Sequence, residues 1–259
     1  MTATNRRTAR RPPDREKLIR VAGLPAVSAL FATAPARVER LFFAEDAKSL
    51  VGAFCTILAG ARKPYRIVGP EELARVAGTM VHGGVVALAR RRPIAAFDPA
   101  GAAAWARDGR LLLLFDGVGN PHNLGAIARS AAFFGVPRIV LSDHPAQALP
   151  SDASYRVAEG GLEYIGVYRA ANFVQVLGRL RRSHVVVGTA AEGGRPINTL
   201  PTSDRPFALV LGNEEDGLRR ATLDACDEIV TISGSGSVQS LNVAASAAIL
   251  IYVLTARRG

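Results

Sequence analysis

Leu111 to Phe115 is an unbroken apolar run, and further apolar runs return within the strand-length segments 138–141, 184–188 and 207–211, with helix-length segments between them. A strand wetted on one face alternates apolar and polar side chains, whereas a strand without alternation is covered on both faces. Such strands separated by helices dictate a parallel sheet between two helical layers, so residues 109–259 are expected to form one α/β unit. The chain has 259 residues, which leaves room for a second, smaller unit.

The front of the chain differs in charge. Residues 1–108 carry 18 basic and 9 acidic side chains and residues 109–259 carry 14 and 13, so nearly all of the net +10 lies in the first part. A field of one sign attracts a polyanion by displacing its counterions, which makes nucleic acid the leading partner. The preference for Arg over Lys fits bidentate phosphate contacts or reflects composition alone. Residues 1–16 read as a disordered basic tail. Over residues 17–92 the pattern predicts a helix at 19–30, a strand at 38–43, a helix at 48–59, a strand at 65–68, a helix at 70–76 and a strand at 84–89. Residues 93–108, Ala-rich with two Pro, read as a linker. Cys55 and Cys226 are too few for a disulfide scaffold, and His82, His122, His144 and His184 lack metal-ligand spacing, so no metal is expected. The longest uncharged apolar run, 243–256, is shorter than the roughly 20 residues a bilayer crossing needs. The expectation is a soluble, cytoplasmic protein with no membrane partner.

Common nucleotide and hydrolase signatures fail. After 111–115 a dinucleotide fingerprint would want glycine where His122 stands, no Gly-Lys-Ser/Thr loop follows a strand, and no Gly-x-Ser-x-Gly occurs. Three Gly- and Asn-rich turns remain after successive strands, where open α/β sheets bind ligands. In the first, Asn120 to Arg129, Asn123 suits a helix cap and Arg129 lies opposite the apolar face formed by Leu124, Ile127, Ala131 and Phe134. The second is Leu211 to Leu218, with Gly212, Asn213 and Glu214 directly after a strand. The third runs from Ile232 to Asn242 and contains Ser240 and Leu241. Read singly, these are an exposed Arg, a solvated turn and a flexible Gly/Ser loop. Residues 243–254, however, have no charge, and a helix apolar around its whole circumference is expected to be buried on all sides, with Arg257 and Arg258 ending it at the surface. Dimerisation is the simpler way to bury it.

Together the three segments resemble the signature of the SpoU/TrmH family, RNA ribose 2′-O-methyltransferases of the SPOUT superfamily. Asn120, Asn123, Gly125 and Arg129 match its first motif. Leu211, Gly212, Glu214, Gly217 and Leu218 match its second, and Ser240, Leu241 and Asn242 close the third. Ile232-Ser233-Gly234 departs from the Ile-Pro-Met that is common there. Residues 19–89 are similar to the small ribosomal-protein-like RNA-binding domain found in front of many members.

The resemblance implies a SPOUT-type parallel sheet with a C-terminal trefoil knot, preceded by a small α/β RNA-binding domain. It implies methyl transfer from S-adenosyl-L-methionine to a ribose 2′-hydroxyl of structured RNA, rRNA ahead of tRNA, by a homodimer joined through the methyltransferase domain. Cofactor contacts would come from Thr189, Gly212, Asn213, Ile232 and Leu241, while Arg129, Asn123, Glu214, Ser240 and Asn242 would face the ribose. Guanidinium stays protonated, so Arg129 is expected to hold a phosphate, oriented by Asn123, rather than act as a base. A non-catalytic RNA-binding or ribosome-assembly protein, or an antibiotic-resistance rRNA methylase, is the alternative.

Overall fold

The structure, a computed structural model, describes residues 18–256. The basic tail assigned to 1–16 and the helix end assigned to Arg257 and Arg258 lie outside the described residues. In chain order the first unit comprises β1 (Leu18–Ala22), α1 (Leu24–Thr33), β2 (Val38–Phe43), α2 (Gly52–Gly60), β3 (Tyr65–Ile67), α3 (Pro70–Ala77) and β4 (Val85–Arg90). Its sheet has the order β1-β4-β2-β3, with β4 antiparallel to both neighbours and β2 parallel to β3.

One expected helix, 19–30, is in fact a strand followed by a helix. Ile19 and Val21 point inward on either side of exposed Arg20, the period of a strand. Gly23 then takes a φ of 95° and Pro25 sits in the first turn of α1, so the chain reverses sharply where one continuous helix was expected.

The second unit comprises β5 (Ala95–Ala96), α4 (Pro99–Ala106), β6 (Leu112–Asp116), α5 (Pro121–Phe133), β7 (Arg138–Leu141), α6 (Asp152–Ala158), α7 (Gly161–Tyr164), β8 (Gly166–Arg169), α8 (Phe173–Leu180), β9 (Val185–Thr189), β10 (Arg195–Pro196), β11 (Phe207–Gly212), α9 (Arg220–Asp224), β12 (Glu228–Thr231) and α10 (Val243–Ala256). Its eight strands run parallel in the order β10-β12-β9-β11-β6-β7-β8-β5. The stretch 93–108 is therefore not a bare linker. β5 extends the sheet beside β8, and Asp98 caps α4 by accepting from the peptide N–H groups of Ala100 (2.9 Å) and Gly101 (3.1 Å). Trp105 packs between the rings of Phe97 and Tyr168. Asp98-Pro99 is a helix start that the Ala-rich composition masked.

Helices α4, α8 and α9 cover one face of the large sheet. On the other face α5, α6, α7 and α10 share a continuous apolar core with α1 and the small sheet. The last helix departs from the expectation of full enclosure. Ala247, Leu250, Ile251 and Leu254 are buried, but Ile249 is 39% and Tyr252 59% exposed, so a single chain covers one side of α10 only.

Candidate active site

The first turn leaves β6 at Asp116, whose carboxylate is buried. It accepts from Arg219 Nη2 at 2.9 Å and Thr222 Oγ1 at 2.6 Å, tying the end of β6 to the start of α9. Gly117 follows with a φ of 88°, and its N–H donates to Gln147 Oε1, while Gln147 Nε2 returns a bond to the Val118 carbonyl. These contacts fix the turn before the helix begins. The cap of α5 is Asn120, which accepts from His122 N at 2.8 Å, and not Asn123 as the sequence indicated. Pro121 fills the first helical turn, where its missing N–H costs nothing, and this places the cap three residues nearer the N-terminus than Asn123. Asn123 is thereby free to bond across the site.

The second turn leaves β11 at Gly212. A Cβ there would lie 2.4 Å from the Gly217 carbonyl carbon, because the chain closes on itself through reciprocal Asn213 and Gly217 backbone bonds of 3.0 and 3.1 Å. Asn213 braces the loop: its Oδ1 accepts from Glu215 N and Asp216 N, and its Nδ2 donates to the Gly117 carbonyl. Glu214 then joins the two turns. It accepts from Gly119 N (3.0 Å), Asn120 N (3.2 Å) and Asn123 Nδ2 (2.9 Å). Partial burial pushes its carboxyl pKa up, but the Asn123 amide and the surrounding peptide N–H groups outweigh that and hold it below the usual carboxylate range.

The third turn enters the same network. Asn242 Nδ2 donates to Asn123 Oδ1 at 3.2 Å, and Asn242 Oδ1 accepts from Ala244 N in the first turn of α10. Because an ionised carboxylate can only accept, Glu214 fixes which end of the Asn123 amide faces it, and the other end is left to accept from Asn242. One polar chain, Glu214–Asn123–Asn242, thus connects three loops that are 119 residues apart at their extremes.

A cavity of about 720 Å³ opens beside this chain, within the range of small-molecule sites. Of the ten candidate residues, Thr189, Gly212, Asn213, Glu214, Ile232, Ser240, Leu241 and Asn242 line it. Leu218, Val230 and Leu250 supply apolar wall, and Glu215 and Asp216 lie at its exposed edge. Asn123 stands one hydrogen bond away. Arg129 is placed elsewhere: six residues along α5, it is about 9 Å farther down the axis and turned by roughly 120°. Its Nη1 pairs with Glu159 Oε1 at 2.9 Å, so Asn123 does not orient it. Sequence reasoning missed Asp116, Gln147 and Arg219. A charged residue ending an apolar strand was the available signal for Asp116; Gln147, 30 residues from its partner, left none. Among the described residues no cluster of metal-ligating side chains occurs, and no helix is long and apolar enough to cross a membrane.

This is the architecture of a ligand-binding α/β fold whose pocket is built from three strand-end turns. Residues 110–252 match the SpoU rRNA methylase family, and residues 20–94 match the substrate-binding domain of RNA 2′-O ribose methyltransferases. The chain belongs to the SpoU rRNA methylase family. It is 35% identical to the uncharacterized tRNA/rRNA methyltransferase YfiF of Escherichia coli O157:H7, over 92% of this chain and 68% of that protein. It is 32% identical to the 23S rRNA (guanosine-2′-O-)-methyltransferase RlmB of Salmonella typhimurium, over 91% of this chain and 97% of the relative. The fold is shared with the SpoU methyltransferase AviRb of Streptomyces viridochromogenes, solved with AdoMet, at a TM-score of 0.72 and 24% identity over 94% of this chain and 91% of that one.

Proposed function

We propose that this chain transfers a methyl group from S-adenosylmethionine to a ribose 2′-hydroxyl of structured RNA, ribosomal RNA first, in the cytoplasm. The observation that carries the reading is the Glu214–Asn123–Asn242 chain, which joins all three family motifs at the rim of one cavity. The family and the RlmB relative support rRNA as the substrate.

The cavity fits the cofactor chemically. Peptide groups at Thr189, Gly212, Ile232 and Leu241 offer donors and acceptors for an adenosine, the apolar wall suits its base, and the carboxylates of Glu215 and Asp216 complement a sulfonium charge. When bound, S-adenosylmethionine supplies a methyl carbon that takes a new bond from the ribose oxygen as its bond to sulfur breaks, with the electron pair staying on sulfur. The chain's own residues position and exclude. Glu214 has both oxygens occupied and a lowered pKa, so it holds the first turn against the second and is a weak proton acceptor. Ser240 and Asn242 face the approaching ribose, Arg129 fixes an RNA phosphate, and a phosphate oxygen receives the hydroxyl proton.

The basic small domain draws RNA to the site. Exposed Ile249 and Tyr252 on α10, beside Phe133 on α5 at 83% exposure, support a homodimer through the large domain; monomeric sedimentation at micromolar concentration would overturn that part. Membership of the SpoU family supports a trefoil knot in the large domain, which stretching the chain from both ends would reveal as a shortened contour. The main test compares 2′-O-methylated positions in rRNA from a strain lacking the gene and its parent, and titrates the protein with S-adenosylmethionine. One lost methylation and saturable cofactor binding are expected; unchanged methylation of all RNA with no cofactor binding overturns the reading. Arg129→Ala is expected to abolish transfer and leave cofactor affinity within about twofold, since it lies outside the cavity.

A further inference from the structure

We propose that Glu159 is a positioning residue for Arg129, an inference that rests on the phosphate-holding role given to Arg129 above. Helix α6 is capped by Glu159, whose backbone adopts φ 44° and ψ 44°, the left-handed conformation that glycine takes without strain. Glycines stand at the next two positions, each for a reason of space. A Cβ on Gly160 would lie 2.7 Å from the Ala29 Cβ of α1, and one on Gly161 would lie 3.0 Å from the Ala128 carbonyl oxygen and the Arg129 Cα. At Glu159 a long side chain is instead carried in a conformation that disfavours it. Its carboxylate reaches Arg129 Nη1 at 2.9 Å.

Stability does not account for this choice. The two side chains are 57% and 49% exposed, and an ion pair so well solvated adds little to folding. The left-handed backbone ends α6 as it ends many helices, so what glutamate adds over glycine at this position is its carboxylate. The carboxylate holds one guanidinium nitrogen and leaves the remaining N–H groups to a phosphate, so a flexible Arg is presented to RNA in one orientation before RNA arrives. The turn that carries Glu159 is wedged between α5 and α1, which ties that orientation to the seating of the small domain.

The test uses the full chain, tritiated S-adenosylmethionine and total RNA from a strain lacking the gene. Glu159→Gly is expected to melt no lower than wild type, to bind cofactor unchanged and to lose about two- to fivefold in kcat, the most that so solvated a contact can supply. Glu159→Gln, which keeps a hydrogen-bonding end but no charge, falls between. A Glu159→Gly protein with wild-type kcat overturns the inference, as does one whose melting temperature and cofactor affinity fall together with its activity. Arg129→Ala separates the two readings: if it methylates normally, the role of Arg129 fails and this inference with it, whereas an inactive Arg129→Ala beside a fully active Glu159→Gly removes the inference alone. Absence of transfer by the wild type to any RNA in the pool overturns the proposed function first.

Discussion

Glu214 shows how one side chain of the site can serve by accepting hydrogen bonds while remaining a poor base. Its oxygens take two peptide N–H groups and an amide, a set that only a deprotonated carboxylate satisfies in full. The folded pKa is depressed, so the contribution of these bonds is complete above the usual 4.5 and is lost as pH falls through the folded value. Glu214→Gln turns one acceptor into an NH2 group facing a peptide N–H. It should cost about 1 kcal/mol at neutral pH, modest because solvent reaches the rim. Urea unfolding of both proteins from neutral pH downward checks this: the gap should close on acidification, and a constant gap below 4.5 would contradict it. That Glu214 lies at the cavity was legible from its motif. That it clamps Asn123 was not, because the helix cap was assigned to Asn123 and Pro121 moves the cap to Asn120.

At the scale of elements, the motif glycine of α5 has a packing explanation. A Cβ on Gly125 would meet the Ser154 carbonyl oxygen at 2.5 Å and the Val157 Cβ at 3.0 Å, so α6 crosses α5 with backbone against backbone. Gly178 in α8 has nothing within 4 Å of the same atom. Gly178→Ala should therefore stabilise by about 0.5–1 kcal/mol through helix propensity. Gly125→Ala gains the same term but must open the α5–α6 crossing, an overpacking cost of about 1–3 kcal/mol, and should come out net destabilising. Chemical denaturation of the pair reads the difference, and equal effects would mean that α6 yields freely. The buried strands β6, β7 and β11 were legible within a residue, since an apolar run covered on both faces has few other readings. β1 and α4 were not. In each a single Gly or Asp-Pro signal was outweighed by the composition of its neighbours, and the pairing with β4 or the packing on α8 that decides the matter is remote in sequence.

Across the whole molecule, the strand and helix pattern predicted two units but not how they meet. The small domain sits against α6 and α7, where Arg37 Nη1 lies 2.6 Å from Glu163 Oε2. Arg92 donates to the carbonyls of Leu162, Glu163 and Ile165 beside them. Neither partner of the ion pair is near the other in the chain, so nothing in the sequence announced it. The glutamate side chain is 1% exposed and the arginine 14%, yet among the described residues Arg37 Nη2 and Glu163 Oε1 are buried without a hydrogen-bond partner. A pair this dry and only singly bonded gains little beyond its desolvation cost, but removing one member strands a charge. Arg37→Met alone should therefore destabilise by about 3–5 kcal/mol, and Arg37→Met with Glu163→Leu should recover most of that loss. A double-mutant cycle by urea unfolding measures it, and a double variant as unstable as the single one would mean that the pair is worth more than its burial costs. The docking also seats the turn carrying Glu159, which touches α1 on one side and Arg129 on the other and does not line the cavity, so the single variant should lower kcat more than cofactor affinity.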